Sequence, residues 1–175
     1  MRYASIIGLA IVLVSALPAA AQSGALPPAR LSDVAPATAE VLNRAIDALN
    51  RQQFDEASAA LGTLDRSRLS PYEHSRVEQI GFNIAFAAKH LDDARAHLYA
   101  AIAAGGLTPA EAEQARYQIA QSYLQERRWQ EGTAALEQWF ASVQSPDAAA
   151  YYLLAVAYWQ MGDYDRALAP AERAT

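Results

Sequence analysis

Three histidines, one pair of adjacent aspartates and one Gly-Gly dipeptide are where residue type and spacing in this 175-residue chain could do chemistry. The histidines are His74, His90 and His97, and no two stand at the i, i+4 spacing of a helical zinc site. His90 and His97 lie about two turns apart across a predicted helix junction, so surface or inter-helix positions are expected for all three. Asp92-Asp93 follows Leu91 at a predicted helix start, where carboxylates favour the positive end of the helix dipole. Gly105-Gly106 follows a predicted helix, not a strand, and so is no phosphate-cradling loop. With no cysteine, disulfides, thiol nucleophiles and Cys-ligated metals are excluded. No serine sits in a Gly-x-Ser-x-Gly turn and no buried pair of acids is on offer. The expectation is a protein without catalysis, cofactor, metal or small-molecule substrate.

The charge balance narrows the partners. Fourteen Lys and Arg face 19 Asp and Glu, a net charge of −5, and Lys89 is the single lysine among scattered arginines. Such a surface has no basic patch with which to release counterions from nucleic acid. A protein or peptide partner is expected instead.

The chain opens MRYASIIGLAIVLVSALPAAA, with one charge, an apolar run and small residues before Gln22. That is the layout of a secretory leader over residues 1–21. Its apolar run is short of the roughly 20 residues a spanning helix needs. A soluble periplasmic or secreted protein of a Gram-negative bacterium follows, with an inner-membrane anchor of uncleaved leader as the alternative. Residues 22–37 are Pro-rich and aperiodic, the composition of a mobile tether.

From residue 38 onward the chain is Ala-rich and poor in β-branched residues, which favours helix. Tyr151, Leu154, Ala155 and Tyr158 fall on one face of a 3.6-period helix. Gly162-Asp163 then breaks it, and Asp163 can cap a following helix buried through Tyr164, Ala167, Leu168 and Ala171. Arg116, Ile119, Ala120 and Tyr123, followed by Trp129, Gly132 and Leu136, repeat the pattern thirty-five residues upstream. Phe82, Ala85, Leu91, Ala94, Leu98 and Ala101 form a weaker copy. Val41, Ala45, Ala48, Phe54, Ala57, Leu61 and Leu64 form another.

A small residue for close helix approach recurs as Ala57, Ala94, Gly132 and Ala167, at spacings of 37, 38 and 35. The predicted units are 38–70, 71–107, 108–146 and 147–175. Each is a helix hairpin that cannot bury its apolar face alone, so neighbours must stack. Ser70-Pro71-Tyr72-Glu73 and Thr108-Pro109-Ala110-Glu111 are matching helix starts: a hydroxyl cap, Pro in the first turn and a capping-box Glu. Ser145-Pro146-Asp147 repeats the theme without the Glu. Pro170 is expected to interrupt the last helix after about two turns, and residues 164–175, with no following element to cover them, to fray or dock on another molecule.

These units resemble the tetratricopeptide repeat family, best in the fourth: Tyr151-x-x-Leu154-Ala155-x-x-Tyr158, then Gly162, Tyr164 and Ala167. Ala48 and Ala85 depart from the large aromatic usual there, and Phe82 stands where a small residue is usual. The resemblance implies an all-α, right-handed superhelical solenoid of about four hairpins that binds a partner and catalyses nothing. It also implies that the first helices line a concave groove. On that register the groove collects Arg76, Gln79, Asn83 and Phe86 from the second unit. Gln114, Tyr117, Gln121 and Gln125 come from the third, and Tyr152, Val156, Trp159 and Gln160 from the fourth. Phe54, Leu91, Trp129 and Tyr164, at the start of each second helix, and Trp139 are read as packing residues. Leu42 and Ile46 occupy the places of a carboxylate clamp, and Gln79 replaces its Lys beside Asn83, so a receptor for chain-terminal carboxylates is disfavoured.

The strings LSPYEHSRVEQIGF, ALEQWF and SPDAAAYYLLAVAYWQMGDYDRAL are similar, in order and spacing, to a subgroup of bacterial envelope repeat proteins. Those are described as components of TonB–ExbB–ExbD energy-coupling systems, which makes such a complex the implied partner. Scaffolding of another envelope assembly machine, or a repeat region attached to an enzyme beyond Thr175, are the alternatives.

Overall fold

The computed structural model describes residues 34–175. The expected leader, and all but the last four residues of the Pro-rich segment, lie outside the described residues. Of those four only Val34 is buried, while Ala35 N–H donates to Glu73 Oε1 at 2.9 Å and helix begins at Pro36. Every regular element described is helical: α1 (Pro36–Asn50), α2 (Phe54–Gly62), α3 (Pro71–Ala87), α4 (Leu91–Ala103), α5 (Pro109–Gln125), α6 (Trp129–Phe140), α7 (Ala148–Gln160) and α8 (Tyr164–Arg173), with a 3₁₀ turn at Arg66–Arg68. The protein is all-α. None of the described helices is long and apolar enough to cross a membrane.

Packing follows chain order. α1 packs chiefly on α2, α3 on α4, α5 on α6 and α7 on α8, and each hairpin makes lesser contacts with the next. All four hairpins turn in the same way. Gln52, Lys89, Arg127 and Gly162 each take a left-handed conformation, with φ of 60°, 63°, 60° and 78°. The N–H that follows reaches back five residues: Gln53 to Ala48 O, His90 to Ala85 O, Arg128 to Tyr123 O and Asp163 to Tyr158 O, at 2.8–3.0 Å. These are Schellman closures, which satisfy carbonyls that a helix end would otherwise leave bare. Glycine serves the position without steric cost only in the fourth hairpin.

Two residues later, Phe54, Leu91, Trp129 and Tyr164 open the second helices, and Ala57, Ala94, Gly132 and Ala167 are buried three residues on. The third of these must be glycine. A β-carbon at Gly132 would stand 2.7 Å from Leu124 Cγ, on the first helix of the same hairpin.

Both capping boxes form. Ser70 Oγ accepts from Glu73 N–H at 3.2 Å and Thr108 Oγ1 from Glu111 N–H at 3.3 Å, and each Glu accepts the reciprocal bond. At α7 the cap is Asp147, which accepts from Ala150 N–H at 2.8 Å, and Ser145 is not used. The carboxylate reaches its N3 amide as the hydroxyls do, so the pattern shifts by two residues.

The expectation at Pro170 is corrected: α8 runs through it to Arg173. Proline removes one amide bond and crowds the carbonyl four residues back, but only one turn follows it. The expected buried face of α8 is corrected too. Only Ala167 is buried, while Tyr164 and Leu168 are 55 % and 64 % exposed, because no described element packs over that face.

Two apolar clusters share α3. Leu42, Ala45, Val77 and Ile84 centre one, and Leu98, Ile119, Leu136 and Leu154 centre the other. Leu42, read as a groove position, is fully buried, in one apolar cluster with Val77, Ile80 and Ile84 of α3. Ser75, also fully buried, ties the end of the second hairpin to its start, donating to Ala101 O at 2.9 Å and accepting from Gly106 N–H at 3.0 Å.

Candidate functional site

The candidate groove residues lie on α3, α5 and α7 at helical spacing, and their exposure rises along the chain. On α3, Gln79, Asn83 and Phe86 are half-buried, with the Phe86 ring 5.6 Å from that of Phe82. On α5, Tyr117 and Gln121 are half-buried, while Gln114 and Gln125 are exposed. On α7, Tyr152 is 50 % and Trp159 63 % exposed, with half-buried Val156 between them and Gln160 exposed beside them. Residues 152, 156 and 159 are i, i+4 and i+7, so they form one stripe. The stripe meets α8 at its end, where the Trp159 and Tyr164 rings contact edge-on at 4.7 Å. Leu168, one turn beyond Tyr164, extends the same apolar surface. Sequence periodicity assigned Tyr164 and Leu168 to the core, because it cannot tell a covered face from an uncovered one.

Tyr117 has another setting. Its ring packs on Trp139 of α6 at 4.8 Å, and Trp139, Phe140 and Tyr151 continue the contact at 5.2 and 4.9 Å. Burial, with the Asp147 carboxylate adding, pushes the Tyr117 hydroxyl up to about 12, against an opposing hydrogen bond with Gln121. This row of rings joins α5, α6 and α7. Trp139 is buried, as its packing-face position implied.

Arg76 is corrected outright. It is 4 % exposed, with its guanidinium 4.9 Å from the Tyr72 ring and Nη2 donating to Glu111 Oε1 at 2.7 Å. It does not line an open surface. It is buried because Glu111, fixed by the capping box of α5, offers a carboxylate where the second and third hairpins meet. Burial alone would raise the Glu111 carboxyl, but the Thr108 bonds and the Arg76 charge hold it below the usual carboxylate range.

Other buried charges also join helices. Glu78, buried on α3, accepts from Arg66 Nε at 3.2 Å, sits 2.7 Å from His97 Nδ1 and 3.5 Å from His74 Nε2. Burial opposes its charge, and His97 and Arg66 outweigh that and lower its carboxyl. The helical register separates His74 from His97, and only the α3–α4 packing brings them to one acid. Between the second and third hairpins, Arg95 is buried, donates to Ser122 Oγ at 2.7 Å and pairs with Asp92 and Glu126. Asp92 also accepts from Arg128 at 2.8 Å, so it bridges two hairpins besides opening a helix. Both guanidiniums lie on the Tyr123 ring, at 4.3 and 4.7 Å. Between the third and fourth, Arg166 lies 4.4 Å from the Tyr158 ring and shares Glu137 with the Tyr158 hydroxyl.

Among the described residues, no group of His, Asp and Glu is placed to hold a metal ion. The charged clusters join helices, and the α7 stripe is exposed. No protein-family model and no curated protein matches the chain.

Proposed function

We propose that the chain is a non-catalytic interaction scaffold of the tetratricopeptide type. The observation that carries this reading is the fourfold recurrence of one hairpin: a left-handed turn residue, a five-residue closure and a small residue three places into the second helix, each at the same place. Units built alike and packed in chain order favour a superhelical solenoid, whose extended faces suit binding. The contact surface is centred on Tyr152, Val156 and Trp159 of α7, with Gln121 and Gln125 of α5 as its polar flank. Aromatics of this kind supply contact area at low entropic cost, and amides can pair with an extended backbone.

The resemblance in ALEQWF and in residues 145–168 directs the reading to the cell envelope and to a TonB–ExbB–ExbD complex as partner. The leader-like layout of residues 1–21 supports export to the periplasm, with an inner-membrane anchor of uncleaved leader as the alternative. The net negative charge leaves nucleic acid aside.

The test compares Tyr152→Ala with Trp159→Ala, combined, against Tyr158→Ala. Each is measured for thermal stability and for co-purification of TonB, ExbB and ExbD from a membrane extract. The combined variant removes exposed rings and one edge contact of about 0.5–1.5 kcal/mol, so its melting temperature should fall by only a few degrees while the complex is lost. Tyr158→Ala empties a buried aromatic site, which costs about 3–5 kcal/mol, and should unfold the hairpin. Retention of the complex by the folded double variant overturns the assignment of the face. Unfolding of that variant would make the two rings packing residues.

A further inference from the structure

The junction between the first two hairpins lacks what the other two junctions contain. Aligned on Phe54, Leu91 and Trp129, the first residues of the second helices, Ser58 takes the place of Arg95. Ala85 likewise takes the place of Tyr123, Ala88 of Glu126, and His90 of Arg128. Asp55 takes the place of Asp92, and here the carboxylate is kept. The second junction is thus filled by Arg95 and Arg128 on the Tyr123 ring, with acids on both sides. At the third, Thr133 and Asp163 hold the places of Arg95 and Arg128, and Arg166 instead lies on Tyr158 of its own hairpin and reaches Glu137 across the junction. At the first junction the arginine, the ring and one acid are truncated together.

What they leave is a cleft of about 220 Å³ between α2 and α4, whose lining includes Phe54, Asp55, Ser58, Ala88, His90 and Asp93. A wider recess of about 460 Å³ shares Phe54, Asp55, Ala88 and His90 and opens beside it. The inner cleft is smaller than the roughly 300–1,000 Å³ of sites for drug-sized ligands, and of a size for one side chain. Asp55 and Asp93 have no cationic partner among the described residues, whereas Asp92 binds two.

We propose that this cleft binds a guanidinium group, taken from outside the chain to fill the position that Arg95 fills one hairpin later. Asp55 accepts the charge-assisted bonds that Asp92 accepts from Arg95, the geometry in which a planar guanidinium surpasses an ammonium. Phe54 and the imidazole of His90 flank the plane. The cleft lies between second helices and is independent of the α7 stripe, so it stands or falls apart from the function proposed above.

The test follows the His90 and His97 ring signals by NMR as N-acetyl-arginine amide is titrated into the chain. A saturable shift in the millimolar range, as expected for one charged group in a small site, supports the proposal. Asp55→Asn should weaken binding about fivefold or more by removing the charged acceptor. Ser58→Arg should abolish it by filling the cleft from within, and Ala88→Glu should tighten it by restoring the acid that Glu126 provides to Arg95. Circular dichroism checks each fold, and Asp55→Asn, which alters an exposed side chain, decides the matter if the others misfold. No saturation, an unchanged titration of Asp55→Asn, or equal affinity for N-acetyl-lysine amide overturns the proposal. An arginine within a blocked Ala-Arg-Ala peptide separates the sources. Tighter binding than the single amide identifies a protein arginine, and equal binding a small guanidinium compound.

Discussion

Arg76 Nη2 lies 2.7 Å from Glu111 Oε1, and this pair, thirty-five residues apart in sequence, locks the buried side of α3 to the first turn of α5. Removing one partner of a buried pair leaves a charge without compensation, typically at about 3–5 kcal/mol. Glu111 is partly exposed, so Glu111→Gln should fall nearer 2 kcal/mol after solvent screening. Adding Arg76→Met should restore part of that loss. Urea unfolding of the two single variants and the double one measures the coupling, and simple additivity would show that the pair is not coupled.

Acid should unfold the protein through three buried or half-buried carboxylates. For Glu73, Glu78 and Glu111 burial opposes the charge. Yet hydrogen bonds from Ser70 and Ala35, from His97 and Arg66, and from Thr108 and Arg76 leave each below its ordinary value of 4.5. A carboxyl lowered in the folded state binds fewer protons there than in the unfolded chain. Its stabilisation is therefore full above the unfolded value and is lost as pH falls through the folded one. The melting temperature should show no pH dependence from these groups above about pH 5, where their stabilisation is full, and should drop below about 4.5. Replacing Glu78 by Gln should shallow that drop while lowering stability at neutral pH.

Left-handed turn residues offer a gain in stability. Lys89 and Arg127 hold φ near 60° with side chains exposed. The left-handed region costs a non-glycine residue about 1–2 kcal/mol, partly offset because glycine loosens the unfolded chain. Arg127→Gly should therefore stabilise by roughly 0.5 kcal/mol, and Gly162→Ala should destabilise. Chemical denaturation midpoints check both signs.

Gly132 permits no β-carbon. Gly132→Ala drives a methyl into Leu124, which is itself buried, and should cost about 1–3 kcal/mol. Leu124→Ala in the same chain vacates the contested space, so the second change should cost less in that background than alone. A calorimetric double-mutant cycle tests this, and equal costs would place the clash elsewhere.

Gly106 meets backbone instead of side chain. A β-carbon there falls on the Pro71 carbonyl and 2.5 Å from Tyr72 Cα. Nothing at that contact can rotate away, so Gly106→Ala should also break the Ser75 bond to the Gly106 amide. Faster hydrogen exchange at residue 106 and in the first turn of α3 would report it.

Sequence alone determined the helices, the two capping boxes, the turn at Gly162 and the small residue of each hairpin, while the left-handed turns at Gln52, Lys89 and Arg127 carried no glycine to announce them. Those signals act within about five residues, where the backbone and its nearest side chains set the conformation. Tertiary structure decided the rest, because stacking sets which charges are covered and which apolar faces are not. Arg76 and Arg95 are buried since carboxylates from the next hairpin await them, although periodicity counts arginine as outward. Tyr164 and Leu168 are exposed since no described helix lies over α8, although periodicity counts them as inward. Sequence placed Trp159 on an outward face, while its edge contact with Tyr164 was set by the turn that folds α8 back on α7. His74 and His97 reach one buried glutamate only because α4 returns along α3. Packing within and between hairpins joins partners 19 to 38 residues apart, beyond the range of any local rule.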